Sequence, residues 1–212
     1  MTVDIHMQNL ITAPDTEKIE TLKHVLNSPE YKTSDLTFLN LLIESLYNLA
    51  KFTNQVNYIN ILLQKLTQNE QDQIFKIVTE EWWDKIENNR KDKFFYLIEK
   101  INKTPLMDLL HSNLNDELKI FFIRKLLDTE ISKDTTSNYI NNILDYFIMC
   151  KKVGVCRVIA TYLYKYSNKL IENKKIIMKE YKKKSISAQK REMFIKMLIS
   201  IKENAVIKHE EL

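Results

Sequence analysis

The sequence predicts an all-α fold, and within that class a helical-repeat α-solenoid of the HEAT or armadillo kind with roughly ten helices, read from helix count and link length, with a globular bundle as the alternative. Three observations predict it. Apolar residues recur at three- and four-residue spacing along almost all of the 212 residues. A single glycine, Gly154, and three prolines, Pro14, Pro29 and Pro105, leave hairpins and doubly wound sheets without the residues their turns need. The links between apolar stripes are short and rich in Asn, Ser, Thr and Asp, which makes successive helices neighbours.

The elements follow in order. After Pro14 and Asp15, the residues Ile19, Leu22, Val25 and Leu26 form one stripe, ending near Asn27, Ser28 and Pro29. Ser34 or Asp35 can cap the next helix, whose stripe is Leu36, Leu39, Leu42, Ile43, Leu46, Leu49 and Ala50. Tyr58, Ile59, Leu62, Leu63 and Leu66 mark a third, and Ile74, Phe75, Val78 and Trp82 a fourth. A fifth carries Phe94, Leu97, Ile98 and Ile101 and stops before Pro105, with Asn89 as its expected cap and Asp92 reaching back in capping-box fashion. The second half repeats this grammar. Its stripes are Leu106, Leu109 and Leu110; Leu118 to Leu126; Tyr139 to Phe147; Val158 to Leu163 after a break at 151–154; Leu170, Ile171, Ile176 and Ile177; and Met193 to Ile201. No long linker interrupts residues 1–212, so one helical domain is expected, with a basic part from about 151.

Composition narrows the function. Neither a G-x-G-x-x-G nor a P-loop can exist in a chain with one glycine. The longest apolar runs, such as Ile120 to Ile123, are far below the roughly 18 residues of a membrane helix, so no membrane contact is expected. The first residues carry an acid and no basic segment before an apolar run, which reads as no secretory signal and as reduced thiols at Cys150 and Cys156. Residues 1–150 hold 16 Lys/Arg against 22 Asp/Glu, a net of −6, whereas residues 151–212 hold 16 against 6, a net of +10. That asymmetry suits contact with a polyanion, and it equally suits lysine drift in an Asn-, Ile- and Lys-rich proteome.

Sites of chemistry are hard to find. His6, His24, His111 and His209 are far apart in sequence, so no metal is expected. Cys150 and Cys156 match neither a C-x-x-C pair nor half a zinc site, and read as buried or half-buried thiols. No nucleophile elbow or H-E-x-x-H stands out, so binding is favoured over catalysis, without cofactor or small-molecule substrate. The strongest basic feature is Lys179, Lys182, Lys183 and Lys184 with Lys190 and Arg191 close behind. These can neutralise phosphates of RNA, serve as a nuclear import signal, or simply form a solvated face. Tyr162, Tyr164, Tyr166 and Tyr181 lie in the same region and can stack on bases or belong to the core and its rim.

The densest segment lies in the middle, where Trp82 and Trp83 are followed by charges of both signs interleaved with aromatics. Read locally, it is an aromatic-rich helix junction with tryptophan anchors. Trp83, Ile86, Arg90, Asp92, Lys93, Phe94 and Leu97 stand at the spacing W-x-x-I-D-x-x-R-x-D-K-F-x-x-L, with Glu87 at the first aspartate position. This resembles the signature of the nucleolar ribosomal-RNA-processing protein one family, also called nucleolar protein fifty-two. Residues 109–118 resemble the family's leucine, histidine, then acidic-Glu-Leu stretch, and 39–66 its preceding helix pair; together the likeness spans about 35–128. The resemblance implies a helical-repeat, non-enzymatic ribosome biogenesis factor of the nucleolus. It would join precursors of the large ribosomal subunit and support processing of the ribosomal RNA precursor in its internal spacer region. It further implies other large-subunit assembly factors as partners, with pre-ribosomal RNA contacted directly or through them. The alternative class is an α-helical protein-binding adaptor with no RNA role.

Overall fold

A computed structural model describes residues 2–28, 35–134 and 138–210, with side chains described from 5 to 204. It is 84% helical, with twelve α-helices and no strand among the described residues. The chain divides into two compact units, Met1–Lys103 and Thr104–Leu212, where the sequence suggests one domain.

The first unit holds α1 (Thr2–Thr12), α2 (Asp15–Asn27), α3 (Leu36–Tyr47), α4 (Phe52–Lys65), α5 (Gln68–Ile77) and α6 (Lys91–Ile101). The α1 helix has no counterpart among the sequence stripes; its Leu10 is fully buried. The starts are set by local chemistry. Pro14 precedes α2, whose first turn carries Asp15 and Glu17 at the positive end of the helix dipole. The Asp35 carboxylate accepts the Thr37 amide at 2.9 Å and caps α3, while Ser34, the other expected cap, lies outside the described residues. Thr67 and Glu70 close a reciprocal capping box on α5, the Glu70 carboxylate accepting the Thr67 amide at 2.7 Å. Alternate helices pack together: α1 on α3 and α3 on α5 in one row, α2 on α4 and α4 on α6 in another. Phe38, Leu39, Leu42, Tyr58, Ile59, Ile98 and their neighbours fill the space between, each fully buried side chain contributing about 1.5 to 3 kcal/mol of transfer free energy.

Between α5 and α6 the helix widens and then tightens. Val78–Trp82 forms a π-turn, Trp83–Lys85 and Asn88–Arg90 form 3-10 turns, and α6 begins at Lys91. Asn89 is therefore inside a 3-10 turn and does not cap α6; the cap position is Arg90, without a side-chain cap bond, and Asp92 merely adds negative charge to the first turn.

The second unit holds α7 (Leu106–His111), α8 (Asp116–Lys133), α9 (Asn138–Met149), α10 (Val153–Lys165), a 3-10 segment (Ser167–Asn173), α11 (Lys174–Tyr181) and α12 (Ala188–Glu210). Here α8, α10 and α12 pack in succession, and the 3-10 segment packs on α9 and α12. The Asn115 side chain caps α8 by accepting the Glu117 amide at 2.8 Å, and Ser187 accepts the Lys190 amide at 3.2 Å ahead of α12. Two expectations change. The stretch from Leu170 to Ile177 is not one helix, because the 3-10 segment precedes α11; Ile177 is buried but Ile176 turns outward. Gly154 is not a break but lies in the first turn of α10.

Candidate functional site

The signature residues divide by chemistry into core and cap. Trp83, Ile86, Phe94 and Leu97 are buried, Trp83 meeting the edge of Phe95 at 4.8 Å with Lys91 over its ring at 5.1 Å. The π-turn ending at Trp82 directs that neighbour elsewhere: its indole N–H donates to the Asn40 side-chain oxygen at 2.9 Å, beside Tyr47. Trp82 is half-buried, so only one of the two expected anchors is fully enclosed.

The two cations of the signature hold the end of α3. The Lys93 ammonium donates to the carbonyls of Leu46 at 3.1 Å, Tyr47 at 2.8 Å and Leu49 at 2.7 Å. The Arg90 guanidinium donates to Tyr47 O at 3.0 Å and lies 4.5 Å over the Tyr47 ring, while Glu87 pairs with it at 3.4 Å. A helix end leaves its last carbonyls unpaired and partly negative, and these cations satisfy both needs. Burial, with the charge of Arg90 beside it, pushes the Lys93 amine down to about 8. On the other side of the link at 48–51, Asp15 accepts the amides of Ala50 at 3.2 Å and Lys51 at 3.0 Å and the Asn54 side chain at 3.1 Å. Burial works against the Asp15 carboxylate, but these donors together hold it below its ordinary range. Gln55 completes the clamp by donating to Leu49 O at 2.9 Å. Asp92 is exposed and lines a shallow cleft with Asn89, Arg90 and Lys93.

The basic cluster does not act as one surface. Lys190 donates to the carbonyls of Ile148 at 2.7 Å, in the last turn of α9, and of Cys150 at 2.8 Å, just after it, and sits 5.2 Å over the Phe147 ring. It is thus an internal cap, the counterpart of Lys93 in the first unit. Arg191 donates to Lys183 O at 3.2 Å, and the Lys183 ammonium pairs with Glu180 at 2.6 Å. Lys190 and Arg191, expected to face RNA, thus each donate to backbone carbonyls of this unit. Lys179, Lys182 and Lys184 remain exposed with no ion pair among the described residues, joined by Lys174 and Lys175, which the sequence reading passed over. Of the four tyrosines, Tyr166 is fastened through its hydroxyl to the Asp128 carboxylate at 2.5 Å and Tyr162 donates to Arg124 O at 3.4 Å; all four are half-buried.

Two juxtapositions were invisible in sequence. His6 and His24, from α1 and α2, have ring centroids 4.6 Å apart, although no group of three metal-ligating side chains forms among the described residues. Cys156 is buried and Cys150 half-buried, as expected of both, and the two residues also meet: the Cys156 thiol can donate to the backbone carbonyl of Cys150 at 3.4 Å. No helix among the described residues is long and apolar enough to cross a membrane. Comparison with protein-family models, with curated proteins and with solved structures finds no match.

Proposed function

We propose that the chain is a non-catalytic assembly factor of the nucleolar large-subunit precursor that supports pre-ribosomal RNA processing in the internal spacer region. Its helical body docks onto other assembly factors while Lys174, Lys175, Lys179, Lys182 and Lys184 approach RNA phosphates. The observation that carries the RNA part is that these five cations stand exposed on and just after α11, with no ion pair among the described residues, and so can release counterions on meeting a polyanion. The ribosomal assignment itself rests on the likeness of residues 83–97 to the family signature. Alternate-row packing in the first unit and the α8, α10, α12 succession in the second support a helical-repeat scaffold of the HEAT or armadillo kind.

A second reading, an α-helical adaptor without an RNA role, is favoured by one feature. Ile176, Met178, Ile195 and Ile199 of α11 and α12 are exposed, between 39% and 51% each, which is the chemistry of a protein-docking face. Affinity purification of the tagged protein from its native cells at moderate salt separates the two. Large-subunit ribosomal RNA precursors recovered with other assembly factors support the first reading; a protein partner without such RNA supports the second.

A further inference from the structure

In the second unit, a cleft of about 580 Å3 opens beside the end of α9 and is lined by Cys150, Cys156, Glu180, Lys183, Lys190 and Met193, among others. The two cysteines differ in situation. Cys156 is buried in α10, where its thiol can donate to Cys150 O at 3.4 Å. Cys150 is half-buried and lines the opening. Lys190 is fixed 2.8 Å from the Cys150 carbonyl, so its positive charge acts on both sulfurs, and the Cys150 thiol donates to Lys152 O at 3.8 Å. The charged groups lining the cleft around this sulfur are Lys151 beside it, Lys190 of α12 and, at the end of α11 and just after it, the paired Glu180 and Lys183. The neighbouring Cys156 thiol leads in bringing the Cys150 thiol down to about 6, against the effect of burial, while the neighbouring Cys150 and burial push Cys156 up. A thiol that only fills space in a core has neither a cation beside it nor an open approach.

We propose that this cleft is a thiol–disulfide exchange site in which Cys150 attacks a small soluble disulfide of the glutathione class and Cys156 resolves the product. The Cys150 thiolate attacks one sulfur of the disulfide. A Cys150–S–S–R bond forms, the R–S–S–R bond breaks, and the departing thiolate takes a proton from water. With the charge on Cys150 removed, the group that held the Cys156 proton in place is gone. Cys156 loses that proton to solvent, and its sulfur attacks Cys150 Sγ, expelling the second thiolate. The protein is oxidised by two electrons to a Cys150–Cys156 disulfide, and the small disulfide is reduced to two thiols. The lysines at the rim suit an anionic peptide disulfide.

The test uses the full chain with oxidised glutathione at pH 6, followed by intact-mass and peptide mass spectrometry. The expected end product of the unmodified sequence carries no glutathionyl group, is two hydrogens lighter, and has Cys150 joined to Cys156. C156S stops with one glutathionyl group on Cys150, and C150S does not react. Cys150 in the folded chain reacts about tenfold faster than in the same chain unfolded in urea, its larger thiolate fraction being partly offset by lower nucleophilicity. A folded chain that forms no internal disulfide, a C156S chain unmodified at Cys150, or a rate equal to that of the unfolded chain overturns the proposal.

Discussion

The Lys93 ammonium stands 2.7 Å from the carbonyl oxygen of Leu49, forty-four positions earlier in the chain. Lys93 is the third residue of its helix, near that helix's own positive end, where a cation is disfavoured. The carbonyls at the end of α3 offset that placement. Lys190, third in α12, does the same for the residues that end and follow α9. Lys169 extends the pattern by donating to Ile131 O at 2.8 Å, at the end of α8.

Replacing Lys93 by Met keeps the buried stem but leaves the carbonyls of Leu46, Tyr47 and Leu49 without their donor. We expect a loss of about 2 to 4 kcal/mol in urea unfolding of the full chain, with Lys190→Met showing the same behaviour through Ile148 and Cys150. Any functional defect of Lys93→Met should then follow the fraction of folded protein.

Asp15 gives stability a defined dependence on acid. Its folded-state carboxyl is held below its unfolded value, so the folded chain binds fewer protons than the unfolded one in that window. The contribution is present above the ordinary carboxylate range, near pH 4, and is lost as pH falls through the lower folded value. Asp15→Asn should cost about 1 to 2 kcal/mol at pH 7 and flatten the acid limb of a stability-against-pH curve.

The tryptophans should separate in a melting experiment. Trp83→Ala removes a side chain only 1% exposed and should cost roughly 3 to 5 kcal/mol. Trp82→Phe keeps the ring and loses the hydrogen bond to Asn40, which should cost about 1 kcal/mol.

Gly154 offers the opposite sign. It lies in the first turn of α10, and a methyl group there meets only Ile120 Cδ1 at 3.9 Å, an ordinary contact. Gly154→Ala should stabilise the chain by about 0.5 to 1 kcal/mol, chiefly by restricting the unfolded chain, and raise the midpoint of thermal unfolding.

The stripes were legible because a buried helix face repeats every three to four residues. Leu39, Leu42, Leu46, Phe94, Leu97, Ile98 and Ile101 were all expected inward and are buried. Asp35 was legible as a cap because capping is settled within three residues. What failed was of two kinds. Where a helix changes pitch, as at the π-turn Val78–Trp82 and the 3-10 segment Ser167–Asn173, no strong local signal marks the change. Where a lysine reaches a carbonyl some forty residues away, as Lys93 and Lys190 do, composition shows only positive charge. A cation in the first turn of a helix, against the dipole, was the one available hint, and it marks both residues. The approach of His6 to His24 carried no hint, being set by how α1 packs on α2.

The central claim is that the cations of the C-terminal region divide between those that hold the fold and those that meet RNA. It is tested most directly by the salt dependence of binding to a large-subunit precursor RNA segment covering the internal spacer, for the full chain and for Lys179→Ala, Lys182→Ala and Lys184→Ala combined. The account predicts an unchanged melting temperature and a slope of log affinity against log salt shallower by roughly 2 units, at about 0.7 for each lost single-strand phosphate contact. An unchanged slope, or no binding by the unmodified chain, would contradict it.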